Sequence, residues 1–292
     1  MVNNSYVLLY ILLFNLFSFS TNAETLYLGT IGDDPKDEIE EYNHLAIYLE
    51  KNLVGTNITE VKISVAPNSQ KMAQLINDNK VHIYIDSPFP SIVVANETGS
   101  TIFLRRWKKG KEKYRSVVFS RIDSGITTLG DMKGKMMAFE EPFSTSAYFL
   151  PKATLSTQGV SVIRLNEGET VPADKTGYLF SDDDKNTMTW VLRKKVAIGA
   201  MSEASYYQLA KKRVKDLHII TQSIWVPRHV VSYAPNMKAA LVEKIKNLLI
   251  NMHNNEAGKK ALFNFSKTTK FDAFPGGVDA HLEPLNALLK VQ

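Results

Sequence analysis

The chain has 292 residues, carries a formal net charge of +5 and contains no cysteine. Without cysteine it forms neither disulfides nor a lipid-modified N-terminal cysteine, so core packing alone must hold the fold together. The densest basic run, residues 105–111, lies in a turn-rich stretch of a chain that is otherwise not basic. We interpret this run as a solvated loop and expect no nucleic-acid partner.

The first predicted element is a secretory leader. Residues 6–19 are apolar apart from Asn15 and Ser18, and Thr21 and Ala23 stand at the two positions that a signal peptidase reads. The apolar run, about 14 residues long, is shorter than the roughly 20 residues that span a bilayer. We therefore predict a signal peptide over residues 1–23 and a periplasmic mature chain, with a retained membrane anchor as the alternative.

Short apolar runs alternate with segments of helical spacing in the rest of the chain. Predicted strands cover or begin at residues 26–31, 61–65, 81–85, 117–119, 136–139, 162–165, 196–200, 217–221 and 230–233. Predicted helices cover residues 39–53, 70–76, 129–132, 186–192, 239–251, 256–263 and 282–289. This alternation predicts an α/β fold of βαβ units, with mostly parallel sheets covered on both faces.

The most informative segment follows the predicted strand at residues 136–139. Ser144 stands where the N-cap of a helix is expected, and Thr145 and Ser146 add two hydroxyls at the same helix start. The N-terminus of a helix offers unpaired backbone N–H groups and a partial positive charge. Together these groups predict a cradle for an oxyanion that needs no formal cation. The alternative is ordinary capping, worth about 1 kcal/mol of stability.

The flanks of this segment carry a family resemblance. In chain order they read Asp123-Ser124-Gly125-Ile126, Leu129-x-Asp131-x-Lys133-Gly134-Lys135, Ala138-Phe139, Ser144-Thr145-Ser146 and Pro151. The stretch closely resembles the phosphate/phosphite/phosphonate-binding proteins of ABC importers, the PhnD-like family. Further segments are in register with that family, so that the resemblance covers nearly the whole mature chain: residues 29–35, 81–85, 114–117 and 196–200.

The resemblance implies a type II periplasmic-binding fold, in which two α/β lobes are joined by two crossing strands. The crossings are expected near residues 117–121 and 229–233, so that residues 24–117 and 230–292 form one lobe and residues 118–229 the other. A ligand is expected in the interlobe cleft. By resemblance, Ser144, Thr145 and Ser146 hold its oxyanion through hydroxyls and amides, and Tyr114 donates a phenol from the opposite lobe.

Departures from the family pattern bear on the ligand. Ala147 stands where members often have glycine, Asn68 at an aromatic ligand position and Asp184 at a frequent histidine, while the third strand ends in Asp86 and Ser87. Carboxylates close to a bare phosphate or phosphite would disfavour the bound anion. We therefore expect a ligand with a cationic end, such as an aminophosphonate, whose amine pairs with Asp184 or Asp86. The alternative for Asp184 is a solvated acidic loop that caps a helix.

Other chemistries find little support in the sequence. Adjacent carboxylates at residues 182–184 lack the alternate spacing and glycine of a calcium loop, and the six histidines form no H-E-x-x-H pair. There is no G-x-S-x-G elbow, and the P-loop-like run at residues 130–135 is one residue short and lacks the following Ser or Thr. We expect no enzyme activity, no cofactor and no metal.

Three functions stay open at this point. The first is a monomeric importer receptor that closes on its small oxyanion and delivers it to an ABC permease. The second is a sensory receptor that hands its closed form to a separate membrane signalling protein. The third is a cofactor-biosynthesis enzyme on the same fold, which a signal peptide argues against because such activities are cytoplasmic.

Overall fold

The computed structural model describes residues 23–290, so the predicted leader lies outside the described residues except for Ala23. The strands of this part are β1 (Glu24–Ile31), β2 (Ile58–Ala66), β3 (Ile83–Asp86), β4 (Thr101–Arg106), β5 (Lys113–Tyr114), β6 (Ser116–Arg121), β7 (Met136–Phe139), β8 (Val162–Arg164), β9 (Thr176–Phe180), β10 (Ile198–Ser202), β11 (Leu217–Gln222), β12 (Val226–Pro227), β13 (His229–Tyr233) and β14 (Phe271–Asp272). The α-helices are α1 (Pro35–Asn52), α2 (Ser69–Asn77), α3 (Pro88–Thr98), α4 (Leu150–Thr157), α5 (Asp184–Leu192), α6 (Glu203–Ala210), α7 (Ala239–Asn251), α8 (Glu256–Asn264) and α9 (Val278–Leu289).

The strands form two six-stranded sheets. The first has the order β14–β4–β13–β3–β1–β2 and the second the order β11–β6–β10–β7–β9–β8. β1 pairs in parallel with β2 and β3, and β10, β7, β9 and β8 are parallel neighbours. However, β13 and β6 each run antiparallel to both of their neighbours. Because β14 also runs antiparallel to β4, half of the ten strand pairs in these two sheets are antiparallel, and the prediction of mostly parallel sheets is wrong. The direction of β6 and β13 is reversed because each of them enters its sheet from the other one.

The chain passes between the sheets twice. It leaves the first sheet after β4, enters the second at β6, and returns between β11 and β13. The two passages pair with each other as a short antiparallel ribbon of β5 and β12. The crossings expected at residues 117–121 and 229–233 thus lie slightly too late, since β6 and β13 each belong to one sheet. We call the first sheet with its helices the first lobe and the second sheet with its helices the second lobe.

Helix starts follow local capping rules. Asp34 caps α1 by accepting hydrogen bonds from two backbone N–H groups at 2.9 and 3.3 Å, and Pro35 takes the first helical position. This cap starts the helix earlier than its apolar spacing predicts. The predicted apolar stripe itself is confirmed, because Leu45 and Leu49 are fully buried. None of the helices within residues 23–290 has the length and hydropathy needed to cross a membrane.

The two lobes touch across the cleft. Phe89 of the first lobe stacks on Phe149 of the second, with ring centroids 4.3 Å apart and an interplanar angle of 6°. Phe143 of the second lobe packs against the buried first-lobe cluster that includes Met72 and Tyr84. A further buried cluster joins residues of both lobes, the ribbon and α9: Ile92, Ile102, Tyr114, Phe149, Leu150, Val226, Val230, Phe274, Leu282 and Leu285.

Candidate functional site

Strand ends and helix starts from both lobes converge on the contact between them. In the first lobe β3 ends at Asp86 and α3 begins at Pro88. In the second lobe β7 ends at Phe139, and the π-helical turn Thr145–Phe149 leads into α4. Ligands of open α/β sheets bind outside the carboxyl ends of the strands, where the connecting loops gather. The interlobe cleft is therefore the candidate site.

The Ser144–Ser146 segment starts a helix, as predicted. Ser144 is its N-cap residue, and the Ser144 hydroxyl accepts a hydrogen bond from the N–H of Ala147 at 3.2 Å. Because Thr145 and Ser146 occupy the first turn, their N–H groups have no acceptor within the helix. Capping thus engages one of the three hydroxyls, while two backbone donors stay directed out of the helix start.

Thr145 connects the two lobes. Its hydroxyl donates to the hydroxyl oxygen of Ser87 at 2.9 Å and accepts from the N–H of Phe89 at 2.9 Å. Only 1% of Thr145 is exposed. Ser87 is the N-cap residue of α3 but makes no side-chain capping bond. Two of the predicted site residues, Ser87 and Thr145, are therefore in direct contact across the cleft.

Tyr114 is buried in the ribbon, and its phenol interacts with the hydroxyls of Thr145 and Ser146. Burial raises the pKa of its phenol, while Arg228 and the hydroxyls of Thr145 and Ser146 act to lower it. The guanidinium carbon of Arg228 lies 4.4 Å from the centroid of the Tyr114 ring. This half-buried guanidinium contacts a ring nitrogen of His229 at 3.2 Å and forms no ion pair with a described carboxylate. It is a cation available to an anionic ligand.

Asp86 is held by its own lobe. One carboxylate oxygen accepts from the N–H of Ile31 at 3.1 Å and from the hydroxyl of Tyr84 at 3.2 Å. The other accepts from the N–H of Ser87 at 2.6 Å. Burial raises the pKa of Asp86, and the two backbone hydrogen bonds act to lower it. Asp86 thus ties the start of α3 to the end of β1, and both of its oxygens already have donors.

Asp184 and Asn68 both stand at helix starts, in different lobes. Asp184 is the first residue of α5 and follows the N-cap residue Asp183, so the acidic loop does cap a helix. One oxygen of Asp184, Oδ1, is buried without a hydrogen-bond partner among the described residues. Burial raises the pKa of the Asp184 carboxyl group, and Ser205 and Arg228 act to lower it. Asn68 is the exposed N-cap residue of α2, and its side chain accepts from a backbone N–H of that helix at 2.9 Å.

Two carboxyl groups that the sequence reasoning did not select precede the Ser144–Ser146 segment. Glu140 interacts with Asp184 and Ser144, and burial followed by the charge of Asp184 raises its pKa to about 7. Glu141 meets Asp33 of the first lobe, and burial followed by that contact raises the pKa of Glu141 to about 9. A raised pKa favours the neutral carboxyl group. The cleft is therefore less negative at neutral pH than its acidic residues suggest.

Opposite charges balance one another on the first-lobe side of the cleft. The ammonium nitrogen of Lys108 lies 3.6 Å from a carboxylate oxygen of Glu41. Burial and then Arg106 lower the pKa of Lys108 to about 8. Burial acts to raise the pKa of Glu41, but the positive charges of Lys108 and Arg106 lower it to about 2. In contrast, burial raises the pKa of Glu38 to about 7. Within residues 23–290 no group of three or more acidic, histidine or cysteine side chains could hold a metal ion.

Arg228 is the principal cleft residue that the sequence reasoning missed. It belongs to the second passage, and its N–H donates to the carbonyl of Glu112 in the first passage at 2.8 Å. A single arginine after Pro227 carries no motif, and only the pairing of the two passages brings it to Tyr114. The sequence could have indicated Arg228 as a cleft residue only through its position directly before a predicted crossing strand, because both passages of this fold border the cleft.

Two mixed sheets, two connecting passages and a cleft lined by helix starts define a type II periplasmic binding protein. The chain belongs to the family described as ABC transporter, phosphonate, periplasmic substrate-binding protein, whose model matches residues 29–274. This is a family of transporter binding proteins and not of enzymes. Such a receptor takes a small-molecule ligand and works with a membrane permease.

Solved structures share this fold. XAC2383 from Xanthomonas citri, bound to chloride ion, has a TM-score of 0.86 and 24% sequence identity, covering 91% of this chain and 98% of that one. The same protein bound to ATP has a TM-score of 0.84 at 23% identity, with the same coverage of both chains. PhnD1 from Prochlorococcus marinus, in complex with methylphosphonate, has a TM-score of 0.69 at 16% identity, covering 92% of this chain and 98% of that one.

Proposed function

We propose that the chain captures a small phosphorus oxyanion, a phosphonate or else phosphite or phosphate, between its two lobes for an ABC permease. The observation that carries this proposal is the convergence of Arg228, the Tyr114 phenol and the start of the Ser144–Ser146 helix on one side of the cleft. Helix-start amides, a phenol and a guanidinium all donate to anionic oxygens, and the guanidinium adds a full positive charge. Chloride and ATP, the ligands of XAC2383, are both anions.

An aminophosphonate suits the carboxyl groups of the second lobe. The unpartnered oxygen of Asp184 is buried, and burial raises the pKa of both Asp184 and Glu140; the charge of Asp184 further raises the pKa of Glu140, and that of Asp183 further raises the pKa of Asp184. An ammonium group placed there would return both to their charged forms, since an opposite charge lowers the pKa of a carboxyl group. Asp86 is a weaker candidate for this role because its oxygens are already engaged.

The lobe bounds and the cellular location complete the proposal. We assign residues 24–117 and 230–292 to one lobe and residues 118–229 to the other; most strands support this division, but Ser116, Val117 and His229 belong to strands of the opposite lobe. The mature chain works in the periplasm after removal of residues 1–23. N-terminal sequencing of the exported protein should read from Glu24, and a start at Met1 would contradict cleavage.

Titration calorimetry on the chain without its leader tests the ligand class. We expect binding of methylphosphonate or aminoethylphosphonate and none of methanesulfonate. Thr145→Val should weaken that binding by roughly 1–3 kcal/mol, because it removes the hydroxyl that joins the helix start to Ser87 and the cleft. Thr157→Val is the matched control, since the Thr157 hydroxyl bonds only a carbonyl of its own helix. Equal affinities for the two variants, or no binding of any phosphorus oxyanion, would reject the proposal.

A further inference from the structure

A groove of about 500 Å³ opens beside the candidate site, where the two passages meet α6 of the second lobe. It shares Tyr114 and Arg228 with the candidate site, so the two regions adjoin each other. A volume of this size lies within the range of small-molecule sites. The groove is lined by Trp107, Gly110, Lys111, Glu112, Lys113, Tyr114, Arg115, Ser202, Glu203, Ala204, Tyr207, Trp225 and Arg228.

Two large aromatic side chains of this groove are open to solvent. Trp225 is 48% exposed and Tyr207 is 51% exposed. The guanidinium carbon of Arg115 lies 4.7 Å from the centroid of the Trp225 ring, and the rings of Tyr206 and Tyr207 make an edge-to-face contact with centroids 5.1 Å apart. Exposed aromatic rings are typical of binding surfaces, because covering them with another flat group removes apolar area from water.

The groove is also positively charged. Its two carboxylates are already paired, because Glu203 lies 2.6 Å from Arg115 and Glu112 lies 3.3 Å from Arg105. In contrast, three of its cations form no ion pair with a described carboxylate: Lys111, Lys113 and Arg228. A pocket that combines flat aromatic surfaces with unpaired cations favours a planar aromatic ligand that carries negative charge.

We propose that this groove binds the planar aromatic substituent of a phosphorus oxyanion whose acid group lies at the start of the Ser144–Ser146 helix. The chain would then bind aromatic organophosphorus anions in preference to small alkyl ones. The inference rests on the proposed function, since Tyr114 and Arg228 join the groove to the candidate site. The methyl group of methylphosphonate offers no flat face to stack on Trp225 or Tyr207, whereas an aryl group attached to phosphorus does.

Phenylphosphonate and methylphosphonate form the matched pair of probes, because they differ only in the group attached to phosphorus. By calorimetry, the unmodified chain should bind phenylphosphonate at least about fivefold more tightly, since stacking on one aromatic side chain is worth about 1–3 kcal/mol. Trp225→Ala should abolish this preference and Trp225→Phe should keep most of it. Phe263→Ala, which removes an aromatic ring 64% exposed on α8, is the control and should keep all of it.

The outcomes separate this inference from the proposed function. A chain that shows no preference for the aryl compound, or whose preference survives Trp225→Ala and Tyr207→Ala together, overturns the groove assignment. If methylphosphonate still binds and Thr145→Val still weakens it, the proposed function stands alone. If no phosphorus oxyanion binds, both ideas fail. Quenching of tryptophan fluorescence by phenylphosphonate, lost in Trp225→Phe, would place the aryl group on this ring.

Discussion

Replacing Glu140 by glutamine tests the electrostatics of the cleft most directly. Burial and the charge of Asp184 raise the pKa of Glu140 from 4.5 to about 7. A group with this pKa is about 10% ionised at pH 6 and about 90% ionised at pH 8. If a bare oxyanion binds only beside neutral Glu140, the affinity of the unmodified chain for methylphosphonate should fall about tenfold between these two pH values. Glu140→Gln keeps the shape of the side chain and removes its charge.

The assay is calorimetry of both proteins at the two pH values. The ratio of the two affinities cancels the ionisation of the ligand itself, so it should be close to one at pH 6 and rise to about ten in favour of Glu140→Gln at pH 8. A group with a raised pKa stabilises the fold below its ordinary pKa and loses that contribution as the pH rises through about 7. Urea unfolding should therefore also favour the variant at pH 8. A ratio that does not change with pH would refute the reasoning.

Three further changes have defined outcomes. Arg228→Met should weaken the binding of every phosphorus oxyanion by about 2–5 kcal/mol in calorimetry, because it removes the unpaired cation of the cleft. The control Arg213→Met replaces an exposed arginine and should not change the affinity. Equal affinities of the two variants would contradict the role of Arg228. Asp184→Asn should weaken aminoethylphosphonate by roughly 1–3 kcal/mol and leave methylphosphonate unchanged, and an unchanged affinity for both would support the capping alternative. Gly258→Ala should lower the free energy of unfolding by about 1–3 kcal/mol, because its Cβ would lie 1.9 Å from the carbonyl oxygen of Met252; an unchanged urea midpoint would refute this.

Several features of the fold follow from local sequence. The alternation of strands and helices and the resemblance of the Ser144–Ser146 flanks predict a two-lobed α/β binding protein, and the family match over residues 29–274 confirms the class. The position of Ser144 as an N-cap residue was predictable because it depends on the few residues around it. The antiparallel direction of β6 and β13 was not, because apolar spacing carries no information about the direction in which a strand enters its sheet.

By itself, the sequence determined that Ser144 caps a helix and that the first amides of this helix have no acceptor within it, since both depend on neighbours within one turn. Only the tertiary structure decided what faces that helix start. The hydrogen bond from Thr145 to Ser87, the guanidinium of Arg228 over Tyr114 and the raised pKa of Glu140 all join residues that are distant in the chain. Their distances and burial arise from sheet order and from the contact between the lobes, which no local pattern encodes.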